Sequence, residues 1–315
     1  MILSNFTTTV EEFILLGLTD KKDTQIVLFI VFLTCYIFSL FGNIVIICIS
    51  SIHPRLNTPM YFFLKNLSLL DICYTSSVVP KMLINFLSEK KTIAFDACFI
   101  QLFIHLSLGG AECYLLLTMA YDRYVAICSP LHYTNIMHPV LCMKMASASW
   151  VGGIANSILH TFNTLQLPFC GPNVINHFFC EAPILIDLAC SDTTFNRTII
   201  FLCAIVVAVV PFFLILITYV KIISSIMKIS TSTGRKKAFS TCASHVIVVT
   251  LFYGTIFIIY LRPGTAHVTN QDKMATLFYS VITPMLNPLI YTLRNKDVKL
   301  ALREITRKKI RQEIS

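Results

Sequence analysis

The chain has 315 residues, 56% of them hydrophobic and only 13% charged, with a mean hydropathy of +0.73. A soluble domain carries about a quarter charged residues, so this composition excludes an ordinary water-soluble fold and points to a polytopic membrane protein. The net charge of +9 does not indicate nucleic acid as partner, because that needs a soluble basic face and this chain has none.

The hydrocarbon core of a bilayer is about 30 Å thick and a helix rises about 1.5 Å per residue, so a span needs roughly 20 apolar residues. Before the first such stretch lies a polar tail, residues 1–25. Its opening, "MILSNFTTTVEEF", lacks a basic n-region and a long apolar core, so no cleavable signal peptide is expected and span one serves as the targeting element. Asn5, in "NFT", is a glycosylation acceptor by pattern. Seven apolar stretches come next, at 26–50, 59–87, 99–126, 141–164, 198–222, 239–261 and 274–293, leaving 294–315 as a tail. They are long and continuous rather than alternating at period two, which disfavours a β-barrel. "SIHPRLNTP", "SPLHYTNIMHP" and "RPGTAH" supply helix-terminating connections.

Polar groups inside spans are costly and need a partner or a function. Asn43 lies in span one, Asp71 midway along span two and Glu112 midway along span three. Two carboxylates at similar depth repel unless they share a proton or recruit a cation, and sodium is the expected ion; separate hydrogen bonding to Asn and Ser neighbours is the alternative. Span three ends in "MAYDRYVAIC". There Asp122 can neutralise Arg123 in a closed state, and the freed guanidinium, with its five donors, can bind a partner's backbone carbonyls in an open one, beside Tyr124.

Beyond span four, Cys170, Cys180 and Cys190 join Cys98 on the expected outer side, where an oxidising environment favours disulfides; four cysteines allow three pairings. Asn196 matches a glycosylation pattern but lies close to span five. Pro211 offers a kink in span five, with Tyr219 about two turns further on. In span seven "NPLIY" puts Pro288 between Asn287 and Tyr291, the chemistry of a hinge. Lys221, Lys228, Arg235, Lys236 and Lys237, with the basic residues from Arg294 onward, mark the cytoplasmic side and place the N-terminus outside; the basic tail can also touch anionic lipid.

Taken together, "GN" (42–43), "LSLLD" (67–71), "DRY" (122–124) and "NPLIY" (287–291) resemble a rhodopsin-type G-protein-coupled receptor. More narrowly, "PMYFFL", "MAYDRYVAIC", "LHY", "KAFSTCASH" and "PMLNPLIY" identify the chain as resembling vertebrate odorant receptors of the tetrapod-type class (class II), over essentially its whole length. The resemblance implies an all-α seven-transmembrane helix bundle with a short amphipathic cytoplasmic helix after span seven, and no enzymatic activity. It also implies a small volatile odorant as ligand, coupling to the olfactory stimulatory G protein, cyclic-AMP production, and residence in the plasma membrane of olfactory cilia. It pairs Cys98 with Cys180 and Cys170 with Cys190. Tyr253 and Gly254 stand where the broader family has Trp and Pro in span six.

Counting 18 residues back from Arg123 is five turns, about 27 Å, and reaches His105. Aminergic receptors carry an aspartate there, so an amine agonist is not expected. Leu106, Gly109, Gly110, Cys203, Val207, Tyr253, Ile256, Phe257, Tyr260, Leu277 and Ser280 complete the expected apolar pocket, with His105 or Tyr260 orienting the ligand. "HFFCE" (177–181) resembles a copper- or zinc-binding pattern proposed for odorant receptors, but a disulfide takes the Cys180 thiolate away, so no metal is expected. A receptor for a peptide or lipid is the near alternative. A transporter or channel would favour repeat symmetry, which is not visible. An enzyme would need a nucleophile–base pair or a metal-ligand cluster, and neither is seen.

Overall fold

The computed structural model describes residues 10–260 and 270–294, with 298, 300, 301 and 304 beyond them. Asn5, the Tyr260 side chain and most of 295–315, where the amphipathic helix is expected, lie outside the described residues. The seven spans are helices over Lys22–Ile52, Pro59–Leu87, Phe95–Cys128, Pro139–Leu165, Thr194–Met227, Ser232–Tyr260 and 270–294. Spans one, two, three, five and six are long and apolar enough to cross a membrane on those grounds alone. Span three is the central helix, packed against spans two, four and five.

The distribution of side chains is inverted relative to a water-soluble protein. Phe38, Phe41 and Val220 are more than 60% exposed, whereas Asn43, Asp71, Asp122, Ser157 and Asn287 are buried. Such a surface suits hydrocarbon as solvent, with polar groups satisfied inside the bundle.

Prolines shape the helices in two ways. Pro59 and Pro139 begin spans two and four, where the missing N–H costs nothing. Pro288 sits inside span seven, so the carbonyl of Pro284, one turn back, loses its helical donor. Asn43 Nδ2 of span one supplies it at 3.2 Å. Gly42 makes the approach possible, because a Cβ there would stand 2.9 Å from the Pro288 ring. At Gly153 a Cβ would run into the backbone of Ser107 and Ala111, so spans three and four touch main chain to main chain.

Among the described residues two helices are locally widened into π turns, Ile205–Val209 in span five and Phe278–Ile282 in span seven. Each widening rotates the register of the helix beyond it and is a frequent companion of functional sites.

At the end of the bundle that carries the disulfides, three short strands form a sheet that the apolar-run reading does not anticipate. β1 (Glu12–Leu15) lies between β2 (Thr92–Ala94), antiparallel, and β3 (Val174–Ile175), parallel. Phe13 and Leu15 bury completely beside Ile93, Cys98, Ile175 and Cys180. The expected N-terminal tail is therefore partly structured and span one starts at Lys22, a turn before the apolar run.

Candidate functional site

Cys98 is bonded to Cys180 and Cys170 to Cys190. The first bond holds the long loop before span five onto span three, and Gln101 reinforces it. Its Oε1 accepts from the Cys180 N–H at 3.1 Å while its Nε2 donates to the Ser77 carbonyl at 2.8 Å. Pinning Cys180 fixes its neighbour Glu181 and the short helix Ala182–Asp187 over the middle of the bundle.

Beneath that helix is a cavity of about 350 Å³, the right size for a small organic molecule. Its wall is mostly apolar. Span three contributes Leu102, His105, Leu106, Gly109, Gly110 and Cys113, span five contributes Ile200, Phe201, Cys203, Val207 and Ala208, and span six contributes Phe252, Ile256 and Phe257. Ala182, Pro183 and Ile186 form the roof.

One side of the wall is polar and continuous. Tyr74 OH lies 2.9 Å from His105 Nε2, His105 Nε2 lies 2.9 Å from Tyr279 OH, and Tyr279 OH donates to Glu181 Oε1 at 3.0 Å. The chain thus links spans two, three and seven to the loop. Burial pushes the Glu181 carboxyl up to about 7, against the opposing effect of the Tyr279 hydrogen bond, so it titrates near neutrality. Burial pushes the nearby His177 imidazole down to about 3, assisted by Lys273, so it stays neutral. His177 stacks on Phe178 at 4.4 Å, and Cys180 is in the disulfide, so "HFFCE" offers no free thiolate for a metal.

Of the expected pocket residues, His105, Leu106, Gly109, Gly110, Cys203, Val207, Ile256 and Phe257 come together on this wall. Tyr253 lies outside it: it is buried among Phe212, Phe252 and Phe257 and its hydroxyl donates to the Cys113 carbonyl at 3.4 Å. Leu277 turns instead to a cluster with Phe32, Val78, Phe178 and Phe179, and Ser280 donates to the Thr276 carbonyl inside its own helix. The span-seven residue on the wall is Tyr279, which straight-helix counting passes over because the π turn begins at Phe278. Tyr74, Asn156, His160, Glu181 and Arg197 are likewise on the wall, although the sequence alone does not place them in the pocket. Asn196 is buried and donates to Asn163 O and Oδ1 at 2.8 and 2.9 Å, which closes it as a glycosylation site in this conformation.

At the opposite end of span three, Asp122 and Arg123 form a buried ion pair, with Arg123 Nε donating at 2.9 Å and Nη2 bound to the same oxygen. Tyr133, the last residue of "SPLHY" and the first of the short helix Tyr133–Ile136, donates to the other carboxylate oxygen at 2.7 Å. Burial, then the adjacent Asp122 charge, push the Tyr133 phenol well up, so it remains a donor. Tyr219 does not reach this pair: its hydroxyl meets His245 Nδ1 of span six at 2.6 Å, and His245 Nε2 lies 3.1 Å from the Leu116 carbonyl. Tyr124, Ile222, Ile226 and Cys242 pack together there, and Lys221 sits 5.8 Å over the Tyr124 ring. Spans three, five and six are therefore shut around Arg123, whose guanidinium is spent on its own neighbour.

Between the two ends, Asn287 Nδ2 donates to both oxygens of Asp71, at 3.0 and 3.1 Å. Glu112 Oε1, Asn43 Oδ1, Asn287 Oδ1 and the Tyr291 hydroxyl are buried with no hydrogen-bond partner among the described residues.

A seven-helix bundle with a roofed cavity at one end of span three and a closed Asp–Arg pair at the other is a G-protein-coupled receptor by architecture. The comparisons with known proteins narrow that class: the family model described as olfactory receptor matches residues 32–309, and the chain belongs to the olfactory receptor family. It is 51% identical to human olfactory receptor 2G3 over 93% of this chain and 95% of that one. It is 50% identical to mouse olfactory receptor 2B6 over 94% and 95% of the respective chains, and 49% identical to human olfactory receptor 2B2 over 96% and 85%. The chain is thus an odorant receptor, a multi-pass membrane protein and not an enzyme.

Proposed function

We propose that a small volatile odorant binds in the cavity under Ala182–Asp187 and that its binding opens the Arg123 end to a stimulatory, olfactory-type G protein, raising cyclic AMP. The observation that carries this reading is the mostly apolar volume of about 350 Å³ bounded by spans three, five and six, the helices that close around Arg123 at their other ends. A ligand that draws these helices together at the cavity shifts the population toward the state in which they part at Arg123. Arg123, Tyr124 and Tyr219 then form the coupling face, and Asn287, Pro288 and Tyr291 the bend in span seven.

On this reading residues 1–25 and the disulfides are extracellular, Asn5 carries glycan, 26–293 is the receptor domain, and 294–315 is a cytoplasmic tail lying against membrane lipid, in olfactory cilia. The basic residues Lys221, Lys228, Arg235 and Lys236, at the adjoining ends of spans five and six, support that orientation. The unpaired oxygens around Asp71 and Glu112 are the hard-donor chemistry that holds a sodium ion or a shared proton.

The test is a chemically broad odorant panel on cells that carry a cyclic-AMP reporter, with and without the stimulatory G protein. A response that requires the G protein and disappears in Arg123→Ala, at matched surface expression, supports the proposal. A response that survives in Arg123→Ala overturns the coupling assignment.

A further inference from the structure

We infer that Glu181 is a polar subsite of the cavity, selecting ligands whose head group donates hydrogen bonds, a primary amine or an alcohol, over carbonyl compounds and carboxylic acids. The inference rests on the cavity being the odorant site. Without a carboxylate in span three, His105 argues against an amine; the loop brings a carboxyl to the same wall from a different element.

The geometry is specific. Glu181 adjoins Cys180, which is held by its disulfide and by Gln101, so the carboxyl is positioned rather than swinging on a free loop. Tyr279 occupies Oε1 at 3.0 Å, and among the described residues Oε2 has no hydrogen-bond partner. Glu181 takes part in none of the ion pairs of the described residues. A carboxylate that is half-buried in a mostly apolar wall and lacks a cation is incomplete, and a ligand donor completes it.

The charged and titratable groups around it leave that role open. On span seven, Tyr279 hydrogen-bonds it and Asp272 adds negative charge, while Lys273 is engaged by the Gly17 carbonyl and Asn176 Oδ1 at 3.0 and 2.8 Å. On span three, His105 meets it through Tyr279; in the loop, His177 is neutral. On span five, Arg197 also lines the cavity but is paired with Asp187. Among the described residues, Glu181 is thus the anion of the cavity that has no cation partner of its own.

The pH effect has a definite sign. Because burial holds the carboxyl near 7, raising the pH through neutrality ionises it, while an alkyl ammonium, like a lysine with its value of about 10.4, stays charged. Amine potency should rise from about pH 6 to about pH 8.

The experiment uses octyl and phenethyl bodies, each bearing an amine, a hydroxyl, an aldehyde or a carboxylic acid, on cells expressing the full chain with the G protein and a cyclic-AMP reporter. Amines and alcohols should be the agonists, Glu181→Gln should weaken the amines by about tenfold or more and flatten their pH profile, and Glu181→Asp should restore part of both. If Glu181→Gln does not reach the surface, the pH profile of the unaltered receptor decides. A flat amine profile, unchanged amine potency in Glu181→Gln, or responses dominated by aldehydes or acids overturn the subsite alone. Silence of every compound with the receptor at the surface overturns the odorant reading of the cavity together with it.

Discussion

The two ends of span three are held by different kinds of force. At the disulfide end two covalent bonds, a three-stranded sheet and the Lys273 contacts to Gly17 and Asn176 fix the roof of the cavity. At the Arg123 end there are hydrogen bonds, one buried ion pair and side-chain packing. A covalent roof has one arrangement and presents a constant binding surface. A non-covalent closure has alternatives within a few kcal/mol, which is what a switch requires. Substitutions at the first end should therefore act on whether a receptor exists, and substitutions at the second on which state it occupies.

The largest expected effect lies at the roof. Cys98→Ser or Cys180→Ser opens a link between residues 82 apart, against 20 for Cys170–Cys190. On the chain-entropy account the longer ring contributes about 1 kcal/mol more, and its loss also releases Glu181. Both variants should lose surface expression or signalling, Cys170→Ser should lose less, and the free cysteine variant Cys203→Ser should express normally. Flow cytometry of a tagged receptor measures this, and equal loss in all of them breaks the comparison.

A smaller effect is expected at the other end. Tyr133→Phe removes one hydrogen bond to Asp122, worth about 1 kcal/mol, and so should raise the ratio of active to inactive receptor about fivefold. The readout is basal cyclic AMP at matched surface expression; an unchanged or lowered value would show that Tyr133 does not hold the closed state.

The smallest effect concerns the region between the ends. Asp71→Asn and Glu112→Gln should each alter the sodium or pH dependence of basal activity, because neutralising one carboxylate changes the ionisation balance of the other. Unchanged salt and pH profiles in both variants would mean that the two carboxylates are separate, with Asp71 satisfied by Asn287 alone.

The division between the ends also explains what the sequence makes legible. The seven spans are written in bulk hydrophobicity, which needs no knowledge of partners, and the Asp122–Arg123 pair is formed by adjacent residues. What escapes is either non-local or a change of helical period. β1 is four residues that become a strand because residues 92–94 and 174–175 come alongside. Glu181 enters the cavity because a bond to Cys98 drags the loop inward. Tyr279 replaces Leu277 and Ser280 on the wall because the helix widens at Phe278–Ile282, where counting at 3.6 residues per turn fails. Tyr253 departs for a related reason: its ring packs on Phe212 of span five, a neighbour that its own helix does not announce.

On the proposed function, the cavity and the Arg123 closure, about 27 Å apart along span three, are two ends of one equilibrium. Coupling of that kind is reciprocal: whatever loosens the closure must tighten agonist binding, by up to the same factor while the closed state dominates. Asp122→Asn weakens the buried pair, and a shift of about 1.4 kcal/mol would raise the active-to-inactive ratio about tenfold. The decisive measurement is agonist affinity in membranes free of G protein, set beside basal cyclic AMP, for Asp122→Asn and the unaltered receptor at equal surface density. Higher basal activity together with tighter agonist binding is the expected result; higher basal activity with unchanged agonist affinity would contradict it.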